Sequence, residues 1–282
     1  MKQILIFFCI KVYSLNATSR DKSLRIIGGR DAVPGEFPYA LKMEMKGQNK
    51  DGDYRYIHVC TCTVIKPTWS LTAAHCIKGL EDYTSTLNVK GVIRHNFSSD
   101  KESSFSNILS MFKEPNYRET ITIENDIGLL LSETIPVSRF AKLSSVDYFT
   151  LYGTKVLTLG YGVTIGSNGS LGDALSVNKP LQVLDAVITR CSSKAFSPAF
   201  CLGGICGLWP ASRPGDSGGP VLHVSGIVGV CSGEDLSQGK TGYDKNKSLK
   251  LKIKMGRQPI AMYTPGSSYV DWITNVINSI SL

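Results

Sequence analysis

Three short patterns in this sequence contain the residue types of nucleophilic attack on a carbonyl group. They are Thr72-Ala73-Ala74-His75-Cys76, Asn125-Asp126-Ile127 and Gly215-Asp216-Ser217-Gly218-Gly219-Pro220. A serine hydroxyl is a poor nucleophile at neutral pH unless a base takes its proton. Histidine suits that task because its pKa lies near neutrality, and a carboxylate can fix the tautomer of the imidazole. The sequence therefore offers a serine nucleophile, a histidine base and an orienting aspartate.

The order His, Asp, Ser along the chain, together with the Ile26-Ile27-Gly28-Gly29 run, resembles the trypsin/chymotrypsin family of serine endopeptidases. The resemblance implies an acyl-enzyme mechanism, no metal and no organic cofactor. It implies three catalytic residues: His75, Asp126 and Ser217. It also implies an oxyanion hole made by the N–H groups of Gly215 and Ser217, since glycine lets the backbone turn there. The remaining histidines are expected to be structural or surface residues: His58, His95 and His223.

An activation site is implied at the Arg25-Ile26 bond. Cleavage there would free the amino group of Ile26, which by resemblance would insert and pair with Asp216. That pairing would order the loop of the oxyanion hole. An acidic residue directly before the nucleophile otherwise has little reason to be there. The sequence therefore predicts a zymogen with a propeptide at residues 18–25.

The cysteines agree with the resemblance in part. Two disulfides are expected from it: Cys60–Cys76 and Cys191–Cys201. Where the family often has a third pair, this chain has Val156 and His223. Cys206 and Cys231 lie on segments that flank the expected pocket, where they either form a bridge of their own or stay apart. Cys62 stands where the family usually has glycine and is the candidate for an unpaired thiol.

The expected substrate pocket departs from the family pattern. Its positions are Ala211, Gly229, Val230, Cys231 and Ala261. Ala211, at the floor, offers no carboxylate to a basic side chain. Gly229-Val230-Cys231 stand where the family usually has Ser-Trp-Gly, so Gly229 cannot give Asp126 the usual hydroxyl hydrogen bond. Cys231 and Ala261 add volume at the walls. We expect a shallow apolar pocket that prefers Ala, Val or Leu, with an acidic preference through Arg213 as the alternative.

The N-terminal residues predict secretion. Lys2 precedes the apolar run Ile4–Ile10, and a cleavage site follows near Ala17. Such a run is too short to cross a bilayer and indicates a secretory signal peptide. We therefore expect a signal peptide at 1–17, the propeptide at 18–25 and a protease domain at 26–282. Secretion makes three sequons candidate glycosylation sites: Asn96, Asn168 and Asn246.

Composition and charge bound the partners. The 282 residues are 42% hydrophobic and 19% charged, which excludes a largely disordered chain. Thirty-one basic and 23 acidic residues give a net charge of +8, and much of it lies at 240–257. That basic segment either binds sulfated polysaccharide or is a solvated loop. Other expected partners are protein or peptide substrates, an activating trypsin-like protease and protease inhibitors. Neither nucleic-acid binding nor a membrane span is expected.

Strand signals dominate the chain up to its last residues. Leu41, Met43 and Met45 alternate with Lys42 and Glu44, as in a half-buried strand. Helical periodicity is clear only near the C-terminus, in residues 270–280. We therefore expect an all-β protein with two packed antiparallel β-barrels of the chymotrypsin type, a C-terminal α-helix and the site between the barrels. The alternative function is a non-catalytic homologue that binds a partner through the same surface, and the complete triad argues against it.

Overall fold

A computed structural model describes most of the expected protease domain. The described residues are 29–49, 51–96, 104–119, 123–162, 180–191, 198–205, 212, 214–235 and 260–280. The expected signal peptide, the propeptide and the segment at 240–257 lie outside them. So do several residues singled out above: Arg25, Ile26, Asn168, Cys206, Ala211, Arg213 and Asn246.

Six antiparallel strands close the first barrel. After a two-residue strand β1 (Arg30–Asp31), they are β2 (Ala40–Gln48), β3 (Tyr54–Lys66), β4 (Trp69–Thr72), β5 (Val89–Arg94), β6 (Phe105–Lys113) and β9 (Gly128–Ser132). They follow one another around the barrel as β2-β3-β4-β9-β6-β5, and β5 pairs with β2 to close it. A short hairpin of β7 (Arg118–Glu119) and β8 (Ile123–Glu124) interrupts the chain before β9. Leu71 and Leu129 are buried inside this barrel.

The second barrel is formed by the C-terminal half of the chain. Its strands are β10 (Lys155–Gly160), β11 (Gln182–Thr189), β12 (Phe200–Gly204), β13 (Pro220–His223), β14 (Gly226–Asp235) and β15 (Ile260–Pro265). The order is β11-β10-β13-β14-β15-β12, with β12 pairing again with β11 and β1 attached to β11. Phe200, stacked on Tyr263, lies in its interior. The expected fold of two antiparallel barrels is confirmed.

In the described residues, two α-helices accompany the barrels. α1 (Ala74–Thr86) follows β4 directly, and α2 (Val270–Ile280) ends the described chain. Ile273 and Ile277 of α2 are buried in the same apolar cluster as the first-barrel core, so the helix that follows the second barrel packs on the first. The predicted terminal helix is confirmed, although Ile280 is 40% exposed. Neither described helix is long and apolar enough to cross a membrane.

The expectation of a half-buried strand at residues 41–45 is wrong for its polar face. Lys42 and Glu44 are each only 2% exposed. Glu44 accepts hydrogen bonds of 3.0 and 2.9 Å from Nε of Arg94, and that guanidinium lies 4.2 Å from the ring centre of Phe105. Alternation therefore identified the strand correctly, but charge pairing and aromatic contact let both of its faces be buried.

Candidate active site

Asp126 and His75 form a two-point contact at the centre of the site. Nδ1 of His75 lies 2.7 Å from Oδ2 of Asp126, and the backbone N–H of His75 donates to Oδ1 over 2.8 Å. The aspartate side chain is fully buried, whereas that of the histidine is 25% exposed. Because a carboxylate only accepts hydrogen bonds, Nδ1 carries a proton, and Nε2, which lies 3.6 Å from Sγ of Cys76, is the acceptor atom of the neutral ring. That is the tautomer a general base needs.

The sequence places this histidine at the start of a helix that lacks its own cap. Ala73 is the N-cap residue of α1 and makes no side-chain capping bond. The first N–H groups of a helix need acceptors from elsewhere, and negative charge is favourable there. Asp126 supplies the acceptor and the negative charge, since its carboxylate accepts the N–H of His75. One buried carboxylate thus orients the imidazole and caps the helix that carries it.

Asn125 gives Asp126 its direction. Its φ of 54° lies in the left-handed region, which asparagine tolerates better than most residues. Nδ2 of Asn125 donates to the carbonyl of Asn116 over 3.0 Å, and the hydroxyl of Tyr269 donates to Oδ1 of Asn125 over 2.8 Å. Tyr269 directly precedes α2, so the C-terminal segment helps to hold the aspartate loop. The roles of Tyr269 and Asn116 could not be predicted from the sequence, because neither residue lies near a recognisable motif.

The loop that carries Ser217 lies against the strands leading to His75. The N–H of Thr61 donates to the carbonyl of Ser217 over 2.8 Å, and the N–H of Gly218 donates to the carbonyl of Cys231 over 2.8 Å. Gly218 has a φ of 80°, and a Cβ there would overlap the hydroxyl of Thr72 and the carbonyl of Thr61. Only glycine fits this close approach. Ser217 itself is partly exposed, as a group that must meet substrate would be.

Gly215 turns the same loop with a φ of 98°. Its carbonyl accepts a hydrogen bond from the hydroxyl of Thr61 over 2.8 Å and one from Nε2 of His58 over 3.1 Å. His58 therefore contacts the serine loop directly, although its sequence context predicted only a structural or surface role. Because both hydrogen bonds hold the carbonyl of Gly215, the peptide plane between Gly215 and Asp216 has a fixed orientation.

Asp216 points away from the serine into a niche lined by backbone. It is 5% exposed, and its Oδ1 accepts the N–H of Gly162 over 2.6 Å. A Cβ on Gly160 or on Gly162 would overlap this carboxylate, so both positions require glycine. Ile26, the expected partner of Asp216, lies outside the described residues. The structure thus contains the buried acid that the activation hypothesis needs.

The strand register corrects the expected pocket. Gly229 is pressed against the ring of Phe200, Val230 is part of the core, and Cys231 is buried opposite Tyr263. Ala261 faces Glu234, because β14 bulges between Cys231 and Gly233. In the described part of the chain, Ala261 therefore pairs with Glu234 and not with Gly229, Val230 or Cys231.

Ser212 and Ser232 are the further polar groups that the sequence analysis overlooked beside this strand. The hydroxyl of Ser212 donates to the carbonyl of Gly233 over 3.1 Å, which ties the segment before the nucleophile to β14. The hydroxyl of Ser232 is buried and lies 2.6 Å from that of Thr264. This serine could not be predicted from the sequence, because it lies at the bulge and no sequence pattern marks such a shift of register.

Both disulfides implied by the resemblance are present, Cys60–Cys76 and Cys191–Cys201. Cys62 is a fully buried thiol, and burial raises its pKa, so it stays protonated at neutral pH. Since Cys206 lies outside the described residues, the Cys206–Cys231 bridge stays a prediction. Cys60, Cys76 and His75 have side-chain atoms close enough for a shared metal ion, but the two sulfurs are bonded to each other.

The environment of His75 favours its charged form. Burial alone lowers the pKa of His75, but the hydrogen bond to Asp126 and the charge of that residue raise it, and the charge of Glu119 adds to the rise. The resulting pKa of His75 lies above its ordinary value. Lys78 holds Glu119 beside α1, with 3.5 Å between Nζ of Lys78 and Oε2 of Glu119.

The fold and the His75–Asp126 pair define the class of protein as a trypsin/chymotrypsin-like serine endopeptidase. A family model described as "Trypsin" matches residues 26–273, and the chain belongs to that family.

Relatives of known identity agree with this family. "Serine protease 1" of Homo sapiens is 29% identical over 268 residues, which are 91% of this chain and 91% of that protein. "Chymotrypsin-like elastase family member 1" of Homo sapiens is 26% identical over 270 residues, 92% and 95% of the two chains. A solved structure described as "Structure of GrC" covers 89% of this chain and 99% of its own, with a TM-score of 0.60 at 19% identity. The last comparison supports the fold.

The charge of Glu119 should set the acid limb of the pH profile. His75 must be neutral to accept a proton, so kcat/KM falls as the pH drops through the raised pKa of His75. Glu119→Gln removes one of the charges that raise this pKa, so the acid limb should move to lower pH. The shift should shrink in high salt, because Glu119 is 55% exposed. Profiles of kcat/KM against pH at two salt concentrations measure it.

Asp82→Asn is the matched control. Asp82 also pairs with Lys78, with 2.8 Å between Nζ and Oδ2, but it is not among the groups that shift the pKa of His75. The acid limb of the Asp82→Asn profile should coincide with that of the parent enzyme. An acid limb that stays in place or rises in Glu119→Gln contradicts the prediction.

Proposed function

We propose that this protein is a secreted serine endopeptidase that hydrolyses peptide bonds through a triad of His75, Asp126 and Ser217. The observation that supports it best is the two-point contact between His75 and the fully buried Asp126. This contact leaves Nε2 of His75 as an acceptor on the side of the ring away from the aspartate. The serine loop packs against Thr72, close to this histidine in the chain.

The reaction runs in two halves. Oγ of Ser217 attacks the substrate carbonyl while Nε2 of His75 takes its proton, and the imidazolium then gives this proton to the leaving amine. Water repeats the sequence on the acyl-enzyme and releases the acid. Asp126 stays ionised and stabilises the imidazolium. The N–H groups of Gly215 and Ser217 donate to the oxygen that becomes negative, and one such donor is worth about 3–4 kcal/mol.

Replacement of the nucleophile tests the triad. Ser217→Ala should lower kcat by roughly four to six orders of magnitude, because the attacking oxygen is lost while the fold is unaffected. The measurement is cleavage of a peptide library by protein processed after Arg25, with a circular dichroism spectrum to show that the variant is folded. Ser279→Ala, a serine exposed on α2, is the control and should retain full activity. A tenth of the parent rate in Ser217→Ala would overturn the assignment.

We also propose that the enzyme is made as a zymogen cleaved after Arg25. The supporting observation is the position of Asp216, which is 5% exposed in a niche lined by Gly160 and Gly162, where any side chain would overlap its carboxylate. The freed amino group of Ile26 would enter this niche as a cation. Its pairing with Asp216 would then order the turn between Gly215 and Ser217.

Arg25→Gln should give a stable protein that an activating trypsin-like protease does not convert to active enzyme. Its activity before and after incubation with trypsin is the measurement. Asp216→Asn should stay poorly active even after cleavage, since an unpaired buried ammonium costs roughly 3–5 kcal/mol. Full activity of uncleaved Arg25→Gln protein would contradict the zymogen mechanism.

For specificity, we propose cleavage after small or aliphatic residues. By resemblance Ala211 would stand at the pocket floor, where it offers no carboxylate, and Ala261, whose side chain is fully buried, would add a methyl group at the wall. Peptides that differ only before the scissile bond should rank Ala, Val and Leu above Lys and Arg in kcat/KM, with differences of about 10–200-fold per methylene. First place for Lys or Arg would overturn the pocket, and first place for Asp or Glu would favour the alternative through Arg213.

The proposed partners follow from the sequence and the family. Protein substrates and protease inhibitors are what a trypsin-family enzyme meets, and secretion is proposed from residues 1–17. The protein should appear in culture medium only when those residues are present. Sulfated polysaccharide is proposed as a ligand of the basic segment at 240–257, to be tested by salt-dependent retention on heparin resin.

A further inference from the structure

One side chain beside the catalytic machinery has no role in the mechanism above. Thr61 lies on β3, between Cys60 and Cys62, and is fully buried. Its hydroxyl donates to the carbonyl of Gly215 over 2.8 Å and accepts the N–H of Tyr161 over 3.1 Å. Its backbone N–H donates to the carbonyl of Ser217 over 2.8 Å. One residue thus contacts both ends of the Gly215–Ser217 turn.

The contacts of Thr61 bear on where N–H groups point. A peptide plane fixes its carbonyl and the following N–H in opposite directions. A bond to the Gly215 carbonyl therefore fixes the N–H of Asp216, and a bond to the Ser217 carbonyl fixes that of Gly218, on either side of the nucleophile. The N–H of Ser217 lies on the peptide plane between these two, and the carbonyl of that plane, which belongs to Asp216, accepts the N–H of Gly219 over 2.9 Å. Gly215 itself has a φ of 98°, so its own N–H direction depends on holding that rotation.

The hydroxyl of Thr61 also joins the turn to the niche of Asp216. Tyr161, which donates to this hydroxyl, is followed by Gly162, which donates to Oδ1 of Asp216 over 2.6 Å. The hydroxyl is therefore the link between the carbonyl of Gly215 and the segment that holds the neighbouring carboxylate. A hydroxyl can donate one hydrogen bond and accept others, so it satisfies both groups at once. Valine has the same shape and can do neither.

We propose that Thr61 is a positioning residue of the oxyanion hole: its hydroxyl, bonded to the Gly215 carbonyl and the Tyr161 N–H, holds the turn in the form that stabilises the transition state. The inference rests on the proposed function and assigns a further residue to it. Thr61 touches no reacting atom and acts through Gly215 and Ser217. Its loss should therefore affect the transition state more than the binding of substrate.

Three variants of Thr61 test this role. Thr61→Val should lower kcat at least about 10-fold and change KM less than about twofold. This loss in kcat should be smaller than the roughly 100–1,000-fold loss that follows removal of a whole oxyanion donor. Thr61→Ser, which restores the hydroxyl, should recover kcat to within about threefold. Thr61→Ala removes the hydroxyl without adding apolar volume and should behave as Thr61→Val. Thermal unfolding of each variant shows whether it is folded at the assay temperature.

Thr63→Val is the matched control. Thr63 lies two residues further along β3, is 1% exposed, and its buried hydroxyl has no hydrogen-bond partner in the described part of the chain. The same substitution in the same strand should therefore leave kcat unchanged.

A second readout separates positioning from general damage. A peptidyl trifluoromethyl ketone forms a tetrahedral adduct with the nucleophile, and its Ki should rise with the fall in kcat in Thr61→Val. The Ki of the leaving-group product peptide, which begins with a free amine and places no carboxylate at the oxyanion hole, should stay the same.

Equal kcat in Thr61→Val and the parent enzyme overturns the proposal, as does a loss in Thr61→Ser as large as in Thr61→Val. An equal loss in Thr63→Val, or a rise in KM in place of a fall in kcat, overturns it as well. These results leave an active parent enzyme, and the proposed function stands. A parent enzyme without serine-dependent cleavage overturns the proposed function, and this proposal with it.

Discussion

A carboxylate that is fully buried must receive hydrogen bonds from the protein, and Asp126 receives two from one residue, His75. Much of the local structure satisfies that demand. α1 begins where its free N–H meets the carboxylate, and Asn125 adopts a left-handed backbone to aim it. Tyr269 then secures the asparagine from the far end of the chain. The catalytic arrangement and the packing of the C-terminal segment are thus parts of the same network.

The serine loop obeys a different constraint, which is lack of room. Gly218 lies so close to β3 and β4 that any side chain would collide with them, and Gly160 and Gly162 line the niche of Asp216 in the same way. The backbone of the loop therefore lies directly against β3, β4 and the side chains of His58 and Thr72. Such contacts keep the loop stiff, which preorganised N–H donors require.

These two constraints explain what the sequence could predict. Steric demands for glycine leave a visible motif around Ser217, and the barrels leave strand periodicity, so the fold and the three catalytic candidates were recognisable. Hydrogen bonds from distant residues leave no motif, which is why Thr61 and Tyr269 were missed. The pairing of Ala261 with Glu234 could not be predicted either, because the bulge in β14 inserts one residue after Cys231 without altering composition. Burial of Glu44 depended on Arg94, 50 residues away.

The two disulfides have a consequence for the integrity of the molecule. Cys60–Cys76 spans 16 residues within the first half, and Cys191–Cys201 spans 10 within the second. In the part of the chain that the structure describes, neither disulfide joins one barrel to the other, so residues 133–154 are the covalent tether between them. An autolytic nick in that tether would leave His75 and Ser217 on separate polypeptides. Activity would then depend on the dissociation constant of the two fragments, and dilution alone would inactivate the enzyme.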